Sequence, residues 1–252
     1  MYSALLNSVH HMRIAMLAGA NLHTLLQECD YYLTMARKYE NVFFKTLLLL
    51  SRESISVLID KNEAGNTVTE HVLKSAIPNE SMYFQRAVQS YWLGRTERCQ
   101  HYAEKMLQMK KARHLRPAIL FYYGLNASQM MKNTKSPKGK VTARNALKAM
   151  KSAAKHSEWN YKNKFLLLEA ETFSLQGKDK RARLTYAAAI EAARASKFVH
   201  EEGLAYELAG LHHLKYRDTE KARELFLQAK ECYTVWGSTM KVENIQSQID
   251  LL

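Results

Sequence analysis

Apolar residues recur at three- and four-residue spacing along most of this 252-residue chain. In the first segment, for example, Leu5, Val9, Met12 and Met16 fall on one side of a helix, and later segments repeat the pattern. Short polar turns separate the segments, which favours antiparallel helix pairs. We therefore predict about thirteen helices and no strand, at 2–17, 22–38, 42–59, 67–76, 82–93, 97–109, 117–131, 141–156, 161–175, 180–196, 199–215, 219–234 and from 240 onward.

Residues that suit helix ends stand between these segments. A side-chain oxygen just before a helix accepts a hydrogen bond from a backbone N–H of the first turn. Glycine just after a helix tolerates the left-handed conformation that closes it. The predicted N-caps are Asn21, Asn41, Thr96 and Asp218, and the predicted glycine stops are Gly94 and Gly177.

The last four helices before the final one contain a repeat with a period of 40 residues. Small residues recur where two helices must approach closely, and an aromatic side chain recurs one turn later. The repeated triplets are Ala182, Tyr186 and Ala189, followed by Ala222, Phe226 and Ala229. Gly210 occupies the small position in the helix before Ala222, as Ala170 does before Ala182.

This arrangement of small and aromatic residues is typical of tetratricopeptide-like repeats. Stacked pairs of this kind form an α-α superhelix, an all-α solenoid with a long concave face. We predict a single solenoid over 1–252. It divides into N-terminal helical repeats at 1–131, an exposed and mobile basic loop at 132–140, and C-terminal tetratricopeptide-like repeats at 141–252.

Composition agrees with a helical protein. The chain has only 9 glycines and 3 prolines. This small number argues against an all-β protein, because such a protein needs frequent turns. The sequence contains no run of about 18 apolar residues, so we predict no membrane span. The N-terminus lacks the pattern of a signal peptide. The three cysteines are widely spaced and odd in number, which is typical of free thiols in a cytoplasmic chain.

The net charge of +13 comes from one part of the chain. Residues 105–157 contain 13 Lys and Arg and no Asp or Glu, whereas the other 24 basic residues are balanced by 24 acidic ones. Such a block indicates an acidic partner. The candidate surface comprises Arg113, Arg116, Lys132, Lys135, Lys138, Lys140, Arg144, Lys148 and Lys151.

Three interpretations of this block stay open. It binds an acidic protein or adjoining domain, it binds the phosphates of a nucleic acid, or it is a solvated flank that keeps the chain soluble. Lysine outnumbers arginine and there is little interleaving of arginine with aromatic residues, which favours the protein partner over the nucleic acid.

Motifs of catalytic and cofactor sites are missing from the sequence. It has no GxxxxGK[ST] phosphate loop, no HExxH and no GxSxG. His212 and His213 with His200 would make a poor metal site, because adjacent histidines on a helix point about 100° apart. The pairs Glu169/Glu171 and Glu201/Glu202 suit helix starts and surface ion pairs. We predict no enzymatic activity, no cofactor and no metal.

Several motifs in the second half resemble a known family. They include Asn160-Tyr161-x-x-Lys164, Leu168-Glu169-Ala170-Glu171, Phe198-x-His200-Glu201-Glu202, Leu204-Ala205-x-Glu207 and Trp236-Gly237-x-x-x-Lys241-Val242. They resemble the helical-repeat region that follows the STAND/AAA-type ATPase in very large signalling proteins. In those proteins a serine/threonine-kinase-like domain precedes the ATPase, and a GAF sensor and a histidine kinase often follow. The resemblance covers about 115–252 and is weaker upstream.

The resemblance implies a role but no catalysis. It implies a protein-interaction scaffold that relays signals between an ATPase and its sensor or output domains, as a segment or a stand-alone relative of such a protein. No kinase, ATPase or sensor motif lies in the chain, so those activities do not transfer. Gly203 and Ser238 stand where the family often has Ala, and both are small. Trp236 is expected to pack under the preceding repeat.

Overall fold

The computed structural model describes residues 2–60, 80–109, 115–134 and 137–252, and these residues form helices without any strand. The helices are α1 (Tyr2–Ala18), α2 (Leu22–Lys38), α3 (Val42–Ile59), α4 (Glu80–Trp92), α5 (Thr96–Gln108), α6 (Arg116–Thr134), α7 (Pro137–His156), α8 (Glu158–Leu175), α9 (Asp179–Ala195), α10 (Val199–Lys215), α11 (Thr219–Trp236) and α12 (Thr239–Asp250). The all-α prediction is confirmed. The helix expected at 67–76 lies outside the described residues.

Two of the four predicted caps act as expected. The Asn21 side chain accepts hydrogen bonds from the backbone N–H groups of His23 and Thr24. The Asn41 side chain accepts one from the N–H of Phe44 at 3.1 Å. At the other ends of helices, Gly94 and Gly177 have φ angles of +67° and +71°, in the left-handed region that glycine occupies without strain.

Of the other two predicted caps, Thr96 is wrong, whereas Asp218 does occupy the N-cap position. Thr96 is the first residue of α5, and the cap position falls on Arg95, which makes no side-chain capping bond. Asp218 stands at the cap position of α11, but its carboxylate accepts from Arg183 at 2.7 Å and contacts His213 at 2.8 Å. Hydrogen bonds from a cationic group are stronger than those from a neutral backbone N–H. The strongest partners of this carboxylate are therefore side chains of α9 and α10, Arg183 and His213.

The predicted loop at 132–140 is also wrong. Helix α6 continues to Thr134 and α7 begins at Pro137, while 135 and 136 lie outside the described residues. Proline fits the first turn of a helix because its missing N–H has no partner there anyway. Lysine is a good helix former. The two helices are therefore longer than the proline and glycine in this segment suggest.

Consecutive helices form antiparallel pairs, and the pairs stack in a series. The pairs are α2 with α3, α4 with α5, α6 with α7, α8 with α9, and α10 with α11. Contacts also run between alternate helices, from α4 to α6, α6 to α8 and α8 to α10. These alternate helices form one layer, and the fold is an α-α superhelix.

The residues of the 40-residue repeat lie inside this superhelix. Ala182, Tyr186 and Ala189 are buried, as are Ala222, Phe226 and Ala229. Gly210 packs directly against an aromatic ring, since a Cβ atom there would stand 2.5 Å from the Phe226 side chain. The close crossing of α10 and α11 therefore depends on the absence of a side chain at 210.

The C-terminal helices also fold back onto the N-terminal ones. Trp236 is buried, with its ring 4.9 Å from that of Trp92 in α4 and 5.4 Å from that of His200 in α10. The Ser238 hydroxyl donates to the carbonyl of Leu58 at 2.6 Å, and the Asn21 amide donates to the carbonyl of Val235 at 3.0 Å. Trp236 thus packs against the preceding helices, as expected, and also against α4. These contacts join the C-terminal helices to α2, α3 and α4.

Two further expectations concern cysteines and membranes. Cys29, Cys99 and Cys232 are free thiols. Burial raises the pKa of each to about 12. Among the described helices, none is long and apolar enough to cross a membrane.

Candidate functional site

The alternate helices line a partly open cavity of about 490 Å³. Helices α4, α6, α8, α10 and α12 contribute to its wall. The wall contains apolar side chains together with two glutamates and two lysines, Glu171, Glu207, Lys132 and Lys241. We call this space the central cavity.

The first carboxylate belongs to Glu171 of α8. Its side chain is only 2% exposed and lies 2.8 Å from the Lys132 ammonium of α6. The hydroxyl of Tyr186, on α9, donates to the same carboxylate. Desolvation of a carboxylate is costly unless it is paired, and this one has both a cation and a phenol as partners.

The second carboxylate, Glu207 of α10, has the same kinds of partner. Lys241 of α12 lies 2.7 Å away, and the Tyr233 hydroxyl of α11 donates to it at 2.5 Å. The Lys241 ammonium also lies over the Tyr233 ring, 5.0 Å from its centroid. The cavity wall therefore contains two Glu–Lys–Tyr groups, and the four charges cancel.

Tyr91 of α4 lies close to both carboxylates. Burial raises its pKa well above the usual value, and the negative charges of Glu207 and Glu171 raise it further. Its phenol therefore stays protonated. The hydroxyl makes no hydrogen bond to another described residue, so it is available as a donor in the cavity.

A third buried ion pair joins α8 to α10 away from the cavity. Lys164 lies 2.7 Å from Glu201, and the Asn163 amide donates to the same carboxylate at 2.5 Å. The Lys164 ammonium also lies 4.2 Å from the centroid of the Phe198 ring. This group links two successive repeats.

The expectation that the glutamate pairs lie on the surface is wrong for Glu171 and Glu201, which are both buried. The central cavity was not predicted at all. Three of its charged residues, Glu171, Glu207 and Lys241, are among those that carry the family resemblance, but the resemblance alone does not show that they lie together.

The three histidines considered as a metal site do not come together. His212 pairs with Asp179 at 2.9 Å and His213 with Asp218 at 2.8 Å, and their ring planes are 88° apart. His200 lies elsewhere, between Trp92 and Trp236. In the described part of the chain, no group of three or more potential ligands is arranged to hold a metal ion.

The candidate basic surface is split by the fold. Arg113 and Lys135 lie outside the described residues, and Lys132 belongs to the central cavity. Lys138 pairs with Glu104 at 2.8 Å. Burial raises the pKa of Glu104, but hydrogen bonds from Lys138, Gln100 and Tyr123 outweigh it and lower the pKa to about 2. Arg116 is exposed and donates to the carbonyl of Leu107.

The remaining candidates form a row on one helix, which we call the α7 stripe. It consists of Lys140, Arg144, Lys148 and Lys151 together with Lys155. All five are exposed, and none pairs with an acidic side chain among the described residues. At 3.6 residues per turn they fall within about 80° around the helix axis, and they span about 22 Å along it.

Fold and site together define an all-α superhelix with an electroneutral polar cavity and a basic stripe on an outer helix. In comparisons with known proteins, no family model matches the chain, and no curated protein or solved structure is detectably similar to it. The likeness to the repeat regions of ATPase-linked signalling proteins therefore rests on the sequence motifs alone.

Proposed function

We propose that this chain is a non-catalytic helical-repeat scaffold that binds an acidic protein surface through the α7 stripe. The observation that carries the proposal is the row of five exposed cations without counter-charges on α7. The rest of the basic block supports it less, because Lys132 and Lys138 already have acidic partners.

The spacing of the stripe suits a second helix. Positions four residues apart are separated by about 6 Å along the axis of α7. An acidic helix with Glu at every fourth position therefore presents negative charges at the same interval. Each such exposed pair contributes about 0.3–0.5 kcal/mol. The larger effect of a charged stripe is on the rate and orientation of association.

An acidic protein fits the stripe better than a nucleic acid does. Proteins that bind single strands usually stack bases on exposed aromatic rings, and α7 contains no Phe, Tyr or Trp. Four of the five cations are lysines, which pair with phosphate as point charges without the bidentate geometry of arginine. In keeping with the family resemblance, we propose an adjoining ATPase or sensor domain as the partner and signal relay as the role.

Charge reversal tests this function. The quadruple variant Lys140→Glu, Arg144→Glu, Lys148→Glu and Lys151→Glu is compared with wild type for binding a labelled Glu-rich helical peptide at 50 mM salt. We expect the affinity to fall about tenfold, since four pairs at the above energy amount to about 1.5 kcal/mol.

The matched control reverses four exposed cations outside the stripe, Lys180, Lys197, Arg217 and Arg223, and should lose much less affinity. Labelled single-stranded RNA and duplex DNA of about 20 nucleotides are tested alongside. If only the nucleic acids bind, and the stripe variant loses that binding, the nucleic-acid alternative is favoured. Equal losses in both variants, or no binding of any probe, would refute a role for the stripe.

A further inference from the structure

A second, smaller cavity lies where the C-terminal helices meet the N-terminal ones. Its volume is about 20 Å³, and side chains of α1, α3, α4, α6 and α11 line it. We call this space the junction cavity. It is distinct from the central cavity, although Trp92 contributes to the wall of both. The α7 stripe contributes nothing to this wall, so a ligand here is independent of the proposed function.

Arg13 of α1 brings a positive charge into the wall of the junction cavity. The residue is only 6% exposed, and no carboxylate among the described residues forms an ion pair with its guanidinium. The guanidinium instead donates to the hydroxyl of Ser81 at 3.4 Å and to Nδ1 of His10. Neither partner supplies a negative charge, so the described part of the chain contains no counter-ion at this position.

The charge of Arg13 is poorly compensated by the rest of the fold. A buried charge is strongly unfavourable unless it is paired, and arginine does not lose its proton to avoid this cost. Burial lowers the pKa of Arg13, and the negative charge of Glu80, at the start of α4, raises it only in part. An anion beside the guanidinium would therefore stabilise the folded chain.

The guanidinium keeps donors that an anion can reach. Only two of its N–H groups have a partner among the described residues. The Nε atom of Arg13 has none, and it is not among the polar atoms that are closed off from accessible space, as the Nε atom of Arg86 is. Arg13 can therefore donate to an ion in the junction cavity.

The size of the junction cavity limits the anion to a single atom. A water molecule requires about 10–15 Å³, and the cavity offers about 20 Å³. Sulfate, phosphate and carboxylates are too large for this space. The rest of the wall is largely apolar and includes Met16, Leu58 and Val88, which disfavours a strongly hydrated ion such as fluoride. Chloride combines a single atom, a single charge and weaker hydration.

We infer that the junction cavity binds a chloride ion, which accepts hydrogen bonds from the guanidinium of Arg13. The ion supplies the counter-charge that the described residues lack. Because the wall combines α1 with Trp92 of α4 and Trp236 of α11, bound chloride stabilises the contact between the two ends of the superhelix. No covalent bond forms or breaks.

Thermal unfolding with exchanged anions tests the inference. Wild-type protein is compared in sodium chloride and in sodium gluconate at the same pH and ionic strength, because gluconate is too large to enter the cavity. We expect chloride at saturation to raise Tm by about 2 °C or more. The rise should follow a binding curve when chloride replaces gluconate stepwise.

A variant then locates the binding. Arg13→Met removes the charge and should abolish the chloride shift. In gluconate it should be at least as stable as wild type, because an apolar side chain replaces a buried cation without a counter-ion. A merely structural role of Arg13 predicts instead an equal loss of stability in both salts. Arg98→Met, at an exposed position of α5, is the matched control and should keep the shift.

A direct measurement on the wild-type protein needs no variant. Bromide has the same charge as chloride and a similar size, and its anomalous scattering locates it in crystals soaked in bromide. We expect a bromide peak in contact with the Arg13 guanidinium. The inference is overturned if chloride and gluconate give the same wild-type Tm, if Arg13→Met keeps the shift or loses equal stability in both salts, or if no bromide binds at Arg13.

Discussion

At the scale of single residues, the buried polar side chains are the least expected feature. His200 is 1% exposed, and neither ring nitrogen has a hydrogen-bond partner. The ring is held between Trp92, Trp236 and Gly19. Burial lowers its pKa from 6.5 to about 4, although the nearby carboxylate of Glu201 raises it in part.

The depressed pKa of His200 predicts a loss of stability in mild acid. Between pH 6.5 and 4 the unfolded chain binds a proton that the folded chain does not. The free energy of unfolding is therefore highest above pH 6.5 and falls as the pH drops towards 4. From pH 7 to 4.5 this group alone should cost about 2 kcal/mol.

Urea unfolding at both pH values measures this effect. The change between them should be about 2 kcal/mol smaller in His200→Leu than in wild type, because the variant lacks the titrating group. His156→Leu, at the exposed end of α7, serves as the control and should behave as wild type does. An equal pH dependence in all three proteins would contradict the assignment.

At the scale of helices, the crossing of α10 and α11 depends on one position. Replacing Gly by Ala inside a helix usually stabilises it by about 1 kcal/mol. At Gly210 the added Cβ would stand 2.5 Å from the Phe226 ring, and overpacking of this kind costs about 1–3 kcal/mol. The steric effect therefore outweighs the gain in helix propensity.

We predict that Gly210→Ala lowers the free energy of unfolding by about 1–2 kcal/mol. The double variant Gly210→Ala with Phe226→Leu should lose less than the sum of the two single variants, because the smaller side chain vacates the space for the new Cβ. Urea unfolding of the four proteins gives the coupling. Additive losses, or a stabilised Gly210→Ala, would show that the helices do not cross this closely.

At the scale of the whole molecule, the ends of the superhelix are joined. An open solenoid contacts only its neighbouring repeats, and its ends unfold independently. Here Trp236 of α11 packs on Trp92 of α4, and Ser238 bonds to Leu58 of α3. The first and last repeats should therefore open together.

Hydrogen exchange tests this coupling. Trp236→Ala should destabilise the protein by about 3–5 kcal/mol and reduce amide protection in α2, α3 and α4 as well as in α10, α11 and α12. Trp159→Ala, where the indole is 57% exposed, should change protection little. Loss of protection confined to α10–α12 would argue against the joined ends.

The sequence by itself determined the helices, their pairing and the fold class. These features follow from local patterns, namely apolar residues at three- and four-residue spacing and residues that suit turns. The prediction was wrong about the loop at 132–140, because a proline also suits the first turn of a helix and lysine is a good helix former. Only the tertiary structure decided which charges are paired. Lys138 meets Glu104, and Lys241 meets Glu207, across 34 positions in each case. The joined ends and the central cavity likewise arise from contacts between distant helices, which no local pattern of residues encodes.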